Sequence, residues 1–332
     1  GITPVWQADA VCHTAFCEHY RKQSERKGDI FLKQNKKMIV CFLTPALLFF
    51  IIMFLYPIIR TVIMSFFNVE GVSDPMSEWT FNGLGNYEKL LGTKLFQTSM
   101  VNMIKIYVIG GIAVMVIALL FAVILTSGVR AKAFWRAVIY VPNIINAVAI
   151  STMWIQYVFN KRFGLLHSFF EALGLEELAK IDYMNGSWKF WSLLIAFCFG
   201  SVGYFMLIFI SGIERIPADY YEAATIDGAN KLKQFGFITM PLIKGVFKTC
   251  MTFWTISIVG FFVWSQMWAS PMPSDNATIT PVVYMYNAVF GTTGSTARDA
   301  GVGAAVGILM ALIVLVVFGL VNVLVKDDDL EF

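Results

Sequence analysis

Charge is scarce in this sequence. Only 14% of its 332 residues are Asp, Glu, Lys or Arg, while 58% are hydrophobic and the mean hydropathy is +0.68; ordinary soluble domains are about 25% charged. A water-soluble fold needs a charged surface, so the composition excludes one and makes the bilayer the solvent. The net charge is only +3 and the basic residues are dispersed among apolar runs, which excludes a nucleic-acid-binding face. Histidine occurs three times, scattered, so nothing supports a membrane enzyme built on clustered His, Asp and Glu. No Asp or Glu falls deep inside an apolar run, and Arg60 and Lys105 lie towards the ends of theirs, whereas ion-coupled carriers place ionisable groups there. The five cysteines, Cys12, Cys17, Cys41, Cys198 and Cys250, are odd in number and the last three sit in apolar runs. That is no extracytoplasmic disulfide framework. Cys12, His13, Cys17 and His19 do not have zinc-site spacing, and no metal site is assigned. A phosphate-binding G-x-x-x-x-G-K-[ST] loop is also missing; the chain has no Gly-Lys pair at all, so it is not expected to hydrolyse ATP itself.

Long apolar runs are what the sequence has instead. A helix needs about 20 such residues to cross about 30 Å of hydrocarbon, and six stretches qualify: Met38 to Phe66, Met103 to Thr126, Phe134 to Phe159, Phe190 to Gly212, Val246 to Trp268 and Ala300 to Val325. The expected fold class is therefore all-α, a polytopic membrane protein with six transmembrane helices: a membrane domain over 38–325 between tails 1–37 and 326–332. The first run is too long for a signal-peptide core and no small-residue cleavage site follows it. It exceeds the hydrocarbon thickness, so tilt or a break near Pro57 is expected. Lysine and arginine crowd the N-terminal tail (Arg21, Lys22, Arg26, Lys27, Lys33, Lys36, Lys37) and the loops after the second and fourth spans. The opposite loops hold fewer, so both termini are expected in the cytoplasm. On the outer side, Leu165, Leu166, Phe169, Phe170, Leu173 and Leu178 alternate with Glu171, Glu176 and Glu177, a pattern for an amphipathic helix at the membrane face.

The most informative segment lies between the fourth and fifth spans, 217–245. Pro217 and the candidate N-cap Asp219 start a helix, and Glu222 sits near its positive end. Gly228 breaks it, and a second amphipathic stretch from Asn230 presents Leu232, Phe235 and Ile238 before Pro241 ends it. Two short helices joined at a glycine make a rigid cytoplasmic knob.

The run Glu222, Ala223, Ala224, then Asp227, Gly228, Ala229, then Phe235, Ile238 and Pro241 at fixed spacing resembles the EAA coupling loop of membrane subunits of ATP-binding-cassette (ABC) importers, of the carbohydrate, maltose-type group with the type I (MetI-like) permease fold. Phe81-Asn-Gly-Leu-Gly-Asn-Tyr87 is similar to that family's outer-loop segment, and Pro45, Pro57, Ser65, Phe134, Arg136, Pro142, Trp154, Thr280, Tyr286 and Phe290 fit its spans. One departure is Gly245, where the family often has a second proline. The resemblance implies a bacterial inner-membrane permease that pairs as a heterodimer with a second permease, two cytoplasmic ATPase subunits holding ATP and Mg, and an extracytoplasmic solute-binding protein. No cofactor is expected in this chain. The cargo it implies is an oligosaccharide, and the overall likeness is to permeases for complex or acidic oligosaccharides, including alginate-type uptake. An ion-coupled secondary sugar transporter is the alternative, which would want inverted repeats with broken mid-span helices and buried carboxylates.

Family positions shortly before and after the loop line the sugar path, and counting along the chain puts them at Ser201, Tyr204, Trp254 and Ser257. Asn143 and Asn146, beside Pro142 in the third span, are similar candidates. Gly303 and Gly307 read as close-packing positions.

Overall fold

The computed structural model describes residues 36–269, 276–292 and 297–324. The Cys12, His13, Cys17 and His19 tail and the stretch after Leu324 lie outside the described residues. The chain divides into two compact units, residues 1–60 and 61–332. Most of α1 (Met38–Met64) belongs to the first. Its ladder widens into a π-turn over Ile51–Leu55, where the Tyr56 N–H reaches Ile51 O. Pro57 follows directly. Proline cannot donate to the preceding turn, and the wider turn absorbs the mismatch, so the helix runs on through Pro57 without a break.

The second unit contains α2 (Lys94–Thr126), α5 (Trp188–Ile213), α9 (Ala300–Leu324) and two helices that break within the span. Among the described residues, five helices are long and apolar enough to cross a membrane, or six if the bent pair is one span. That pair is α3 (Lys132–Ile144) and α4 (Ala147–Val158), which meet at 96°. Pro142 withdraws a donor from the end of α3, Ile145 is extended, and Asn146 restarts the helix by accepting the Val148 N–H at 2.9 Å. The stretch Phe134 to Phe159 is therefore not one straight helix. The fifth span is likewise divided, into α7 (Lys244–Val259) and α8 (Val263–Ala269) around Gly260. There the Thr280 hydroxyl donates to Phe261 O at 3.0 Å and the Ser265 hydroxyl to Thr278 O at 2.6 Å. These side chains and the packed 278–280 backbone satisfy polar groups that the break would otherwise leave bare in an apolar interior. Both stretches were expected as single spans, and the apolar run around Gly260 carries no mark of where its hydrogen-bond ladder is interrupted.

Helix α5 is the centre of this unit. Its sequence is apolar on every side; Leu193, Ala196, Met206 and Phe209 are completely buried, while Trp191, Ile195 and Phe199 form an exposed face. Small residues let its neighbours approach closely. A Cβ at Gly203 would sit 2.3 Å from Ile139 O on α3, and one at Gly212 only 2.5 Å from Val246 Cγ2 on α7.

At the end of the unit away from the 217–245 loop, Phe67–Asn68 pairs antiparallel with Thr80–Phe81. The buried Asn86 amide donates to Ser65 O (3.0 Å) and Phe67 O (2.8 Å), and the Tyr87 hydroxyl to Ser65 Oγ at 2.9 Å. The start of α9 is fastened to the same ribbon: the Gly301 N–H bonds to Val69 O, and a Cβ at Gly301 would lie 2.4 Å from Phe67 O. The segment around Asn86 thus acts as a clamp. The expected amphipathic outer helix is two short ones, Leu165–Ala172 and Glu176–Ala179, separated by Gly174 at φ +73°.

Candidate functional site

The loop between α5 and α7 folds as the expected hairpin, with three differences in detail. Its first arm, α6 (Ala218–Ile226), is preceded by Pro217 with no side-chain cap, so Asp219 lies in the first turn and acts on the helix dipole rather than as the cap. Gly228 reverses the chain at φ +76°, a left-handed conformation that costs other L-residues about 1–2 kcal/mol. Asn230 then caps the second arm by accepting the Lys233 N–H at 2.9 Å. Pro241 does not end that arm. It sits in the first turn of Met240–Leu242, after a π-turn over Phe235–Thr239, and the chain breaks instead at the buried Ile243. Helix α7 starts at the next residue.

Polar side chains unnoticed in the sequence stitch the two arms together. Gln234 is buried, and its amide donates to Thr225 Oγ1 at 2.9 Å and Ala229 O at 3.3 Å. The Tyr221 hydroxyl and Thr239 Oγ1 lie 3.0 Å apart. These hydrogen bonds tie one arm to the other, which resists bending at Gly228. Glu222, Ala223 and Asp227 are exposed, Ala224, Ala229, Phe235 and Ile238 half-buried, and Pro241 exposed. Leu232, expected on the inner face with Phe235 and Ile238, is instead 80% exposed, alongside Ile226 at 87% and Phe237 at 82%. Leu232 lies in the turn ahead of the π-turn and points outward, whereas Phe235 and Ile238 within the π-turn keep the half-buried side. Three bare apolar side chains on one short hairpin are a surface that asks for a partner.

The hairpin is held at its root. Glu214, just beyond the end of α5, binds the Arg136 guanidinium of α3 and lies 3.7 Å from Lys132 Nζ. The hydrogen bond from Arg136, with the charges of Arg136 and Lys132, holds the Glu214 carboxyl below its usual range. The contact ties the start of the broken third span to the first turn before the hairpin.

A second site lies where the two breaks face α5. A cavity of about 230 Å³ is bounded by Asn143, Ser201, Tyr204 and Ser257 together with Phe197, Gly200 and Trp264. Four of the six side chains counted onto the path therefore converge. The Asn143 amide donates to Gly200 O at 3.2 Å, and the Ser201 hydroxyl to Phe197 O at 2.9 Å. The Trp264 ring lies 3.5 Å from where a Gly200 Cβ would be, and its ring centroid 5.7 Å from that of Phe197. Gly200 leaves room for the indole, and Trp264 lies on the same three- and four-residue stripe of the fifth span as Ser257.

The other two do not join it. Asn146 is used as the α4 cap. Trp254 is completely buried; its Nε1 donates to Tyr107 O at 3.0 Å, and its ring fills the space over Gly110 and Gly111, where a Cβ on Gly111 would come within 2.7 Å of Nε1. It faces α2, a core position. Three residues along a helix is a rotation of about 300°, enough to separate Trp254 from the cavity while Ser257 faces it.

Aromatic walls with a few neutral hydroxyl and amide groups fit a solute that has both apolar ring faces and hydroxyls. Discontinuous helices around such a cavity are a recurrent feature of solute paths through membranes.

Residues 115–327 match the family of binding-protein-dependent transport system inner membrane components. Over 308 residues the chain is 29% identical to the arabinooligosaccharides transport system permease protein AraP of Halalkalibacterium halodurans, covering 90% of each. Its fold matches the crystal structure of a bacterial ABC transporter involved in the import of the acidic polysaccharide alginate, with a TM-score of 0.75 and 18% identity over 90% of this chain and 99% of that one. It also matches the alginate ABC transporter in complex with an alginate pentasaccharide-bound periplasmic protein, with a TM-score of 0.72 and 17% identity over 89% and 96%. With hairpin, broken spans and sequence in agreement, the chain belongs to the family of binding-protein-dependent transport system inner membrane components, as a multi-pass permease subunit of an ABC importer and not an enzyme.

Proposed function

We propose that this chain forms half of an oligosaccharide path, paired with a second permease, and that the 217–245 hairpin docks on one of two cytoplasmic ATPase subunits. ATP and Mg belong to those subunits, and an extracytoplasmic binding protein delivers the sugar. Both termini then lie in the cytoplasm, in keeping with the distribution of Lys and Arg.

The observation that carries this reading is the hairpin itself: a stitched, stiff element with exposed Ile226, Leu232 and Phe237 at its surface. It runs directly into the two helices that wall the cavity. Helix α5 supplies Ser201 and Tyr204 to that cavity and α7 supplies Ser257. Glu222 and Asp227 offer carboxylates to basic groups of a partner, and the small Ala223 lets its backbone come near. When the ATPases close on ATP, a hairpin gripped in this way moves as one body. The side chains on α5 and α7 shift with it, and access to the cavity alternates. A ligand shifts such an equilibrium only through its different affinity for the two states, and ATP supplies the difference from outside this chain.

The test is to purify the tagged chain from gently solubilised membranes and identify what accompanies it by mass spectrometry. A second six-span permease and an ATPase with a phosphate-binding loop are the expected companions. Recovery of the chain alone or as a homodimer across several detergents would overturn the proposal in favour of a self-contained carrier.

A further inference from the structure

We infer that the half of the path built by this chain admits uncharged sugars and works against uronates. This rests on the oligosaccharide reading above and adds the charge of the sugar to it. The cavity side chains able to hydrogen bond are Asn143, Ser201, Tyr204 and Ser257; none carries a positive charge. The sequence around them is equally bare. No Asp, Glu, Lys, Arg or His occurs between Arg136 and Lys161, between Lys189 and Glu214, or between Lys248 and Asp275, and these three intervals hold every residue that lines the cavity.

Arg136 and Lys161, at the edges of these intervals, and Lys105 are engaged by other groups. Arg136 is bound to Glu214, and Lys161 Nζ lies 3.8 Å from Asp182. On α2, Lys105 Nζ sits 5.6 Å over the Phe190 ring. A neutral sugar entering the cavity exchanges water for the hydroxyl and amide groups of Asn143 and Ser257, and lays its ring face on Trp264, so its desolvation is compensated. A uronate must bring a carboxylate into the same apolar walls with no counter-charge from this chain, and an unpaired buried charge is far more costly than a hydroxyl. The selection is thus made by what the walls withhold. The likeness to transporters of acidic polysaccharide lies in the backbone, whereas the charge of the cargo is set by these side chains.

The experiment is uptake into proteoliposomes holding the complete importer. It compares neutral oligosaccharides with counterparts of equal length oxidised at C6 to uronates, each at concentrations that saturate the binding protein. Wild type is expected to take up the neutral series at least ~10-fold faster, and Ser257→Lys to narrow that ratio at least ~10-fold by supplying the missing charge. Ser201→Lys serves as a second variant should the first fail to assemble. Uptake of uronates by wild type at or above the neutral rate overturns the charge inference and leaves the sugar reading standing. ATP-dependent uptake of a non-sugar solute, with no sugar of either class transported, overturns the sugar reading itself.

Discussion

Glu222→Lys is expected to lower ATP-driven uptake more than ~10-fold while the amount of chain in the membrane stays at the wild-type level. The carboxylate is exposed on α6 and makes no ion pair among the described residues, so its loss costs the fold within about 0.5 kcal/mol, as for surface substitutions generally. What changes is the sign of charge on the face offered to the partner, where a like-charge contact opposes docking. Gly228→Val gives the same loss by a different route. At φ +76° a β-branched residue is strained, and because no atom lies within 4 Å of a Cβ built there, the strain is in the backbone and not in packing. The second arm must re-aim to relieve it, taking Phe237 and Leu232 with it. Uptake assays on reconstituted importer, set beside immunoblots of membranes, separate coupling from folding. Normal uptake in both variants would remove the hairpin from the mechanism.

Trp254→Ala has the largest expected cost in stability. The indole of α7 is completely buried against α2 and α5, its centroid 5.5 Å from the tilted ring of Phe197 and 5.7 Å from that of Phe205, which it meets edge to face. Removing a buried Trp costs about 3–5 kcal/mol, because the surrounding helices cannot close the void. Gly110 and Gly111 have no side chains with which to fill it. Trp254→Phe keeps most of the volume and gives up the hydrogen bond to Tyr107 O, worth about 0.5–1.5 kcal/mol, so it should fall between. Ser257→Ala, one turn away, is expected to change uptake with little change in stability. Thermal unfolding of the purified assembly reads the first effect and uptake the second. A Trp254→Ala importer with wild-type thermal stability and lost sugar uptake would return that residue to the path.

The contrast between Trp254 and Ser257 also marks how far the sequence could be read. The six apolar runs and the Glu222 to Pro241 spacing were legible because bilayer thickness and turn chemistry leave direct marks: run length and a glycine at a reversal. Three cavity residues, Ser201, Tyr204 and Ser257, were found by their distance along the chain from that loop, and Asn143 by its place beside Pro142. The remainder depended on rotation and interruption. Whether Trp254 faces α2 or the cavity is decided by a fraction of a helical turn, and Asn146 became a cap because Pro142 and Ile145 end α3 just before it. The break at Gly260 and the π-turn at Phe235–Thr239 lie in apolar stretches where a continued helix would read the same. Gln234 was hidden for a different reason. A polar residue in a loop between spans is assumed to face water, and only the folded hairpin reveals that its amide is the internal stitch.

The central claim is that the hairpin grips an ATPase, and a photoreactive phenylalanine analogue at position 237 tests it most directly. Phe237 is 82% exposed while Phe235, two residues away, is half-buried. On illumination of membranes containing the complete importer, the probe at 237 should cross-link to an ATPase subunit, with a yield that changes when ATP is added. The probe at 235 should cross-link within the chain. Cross-links from position 237 only to lipid or to this chain, with the importer intact and active, would contradict the account.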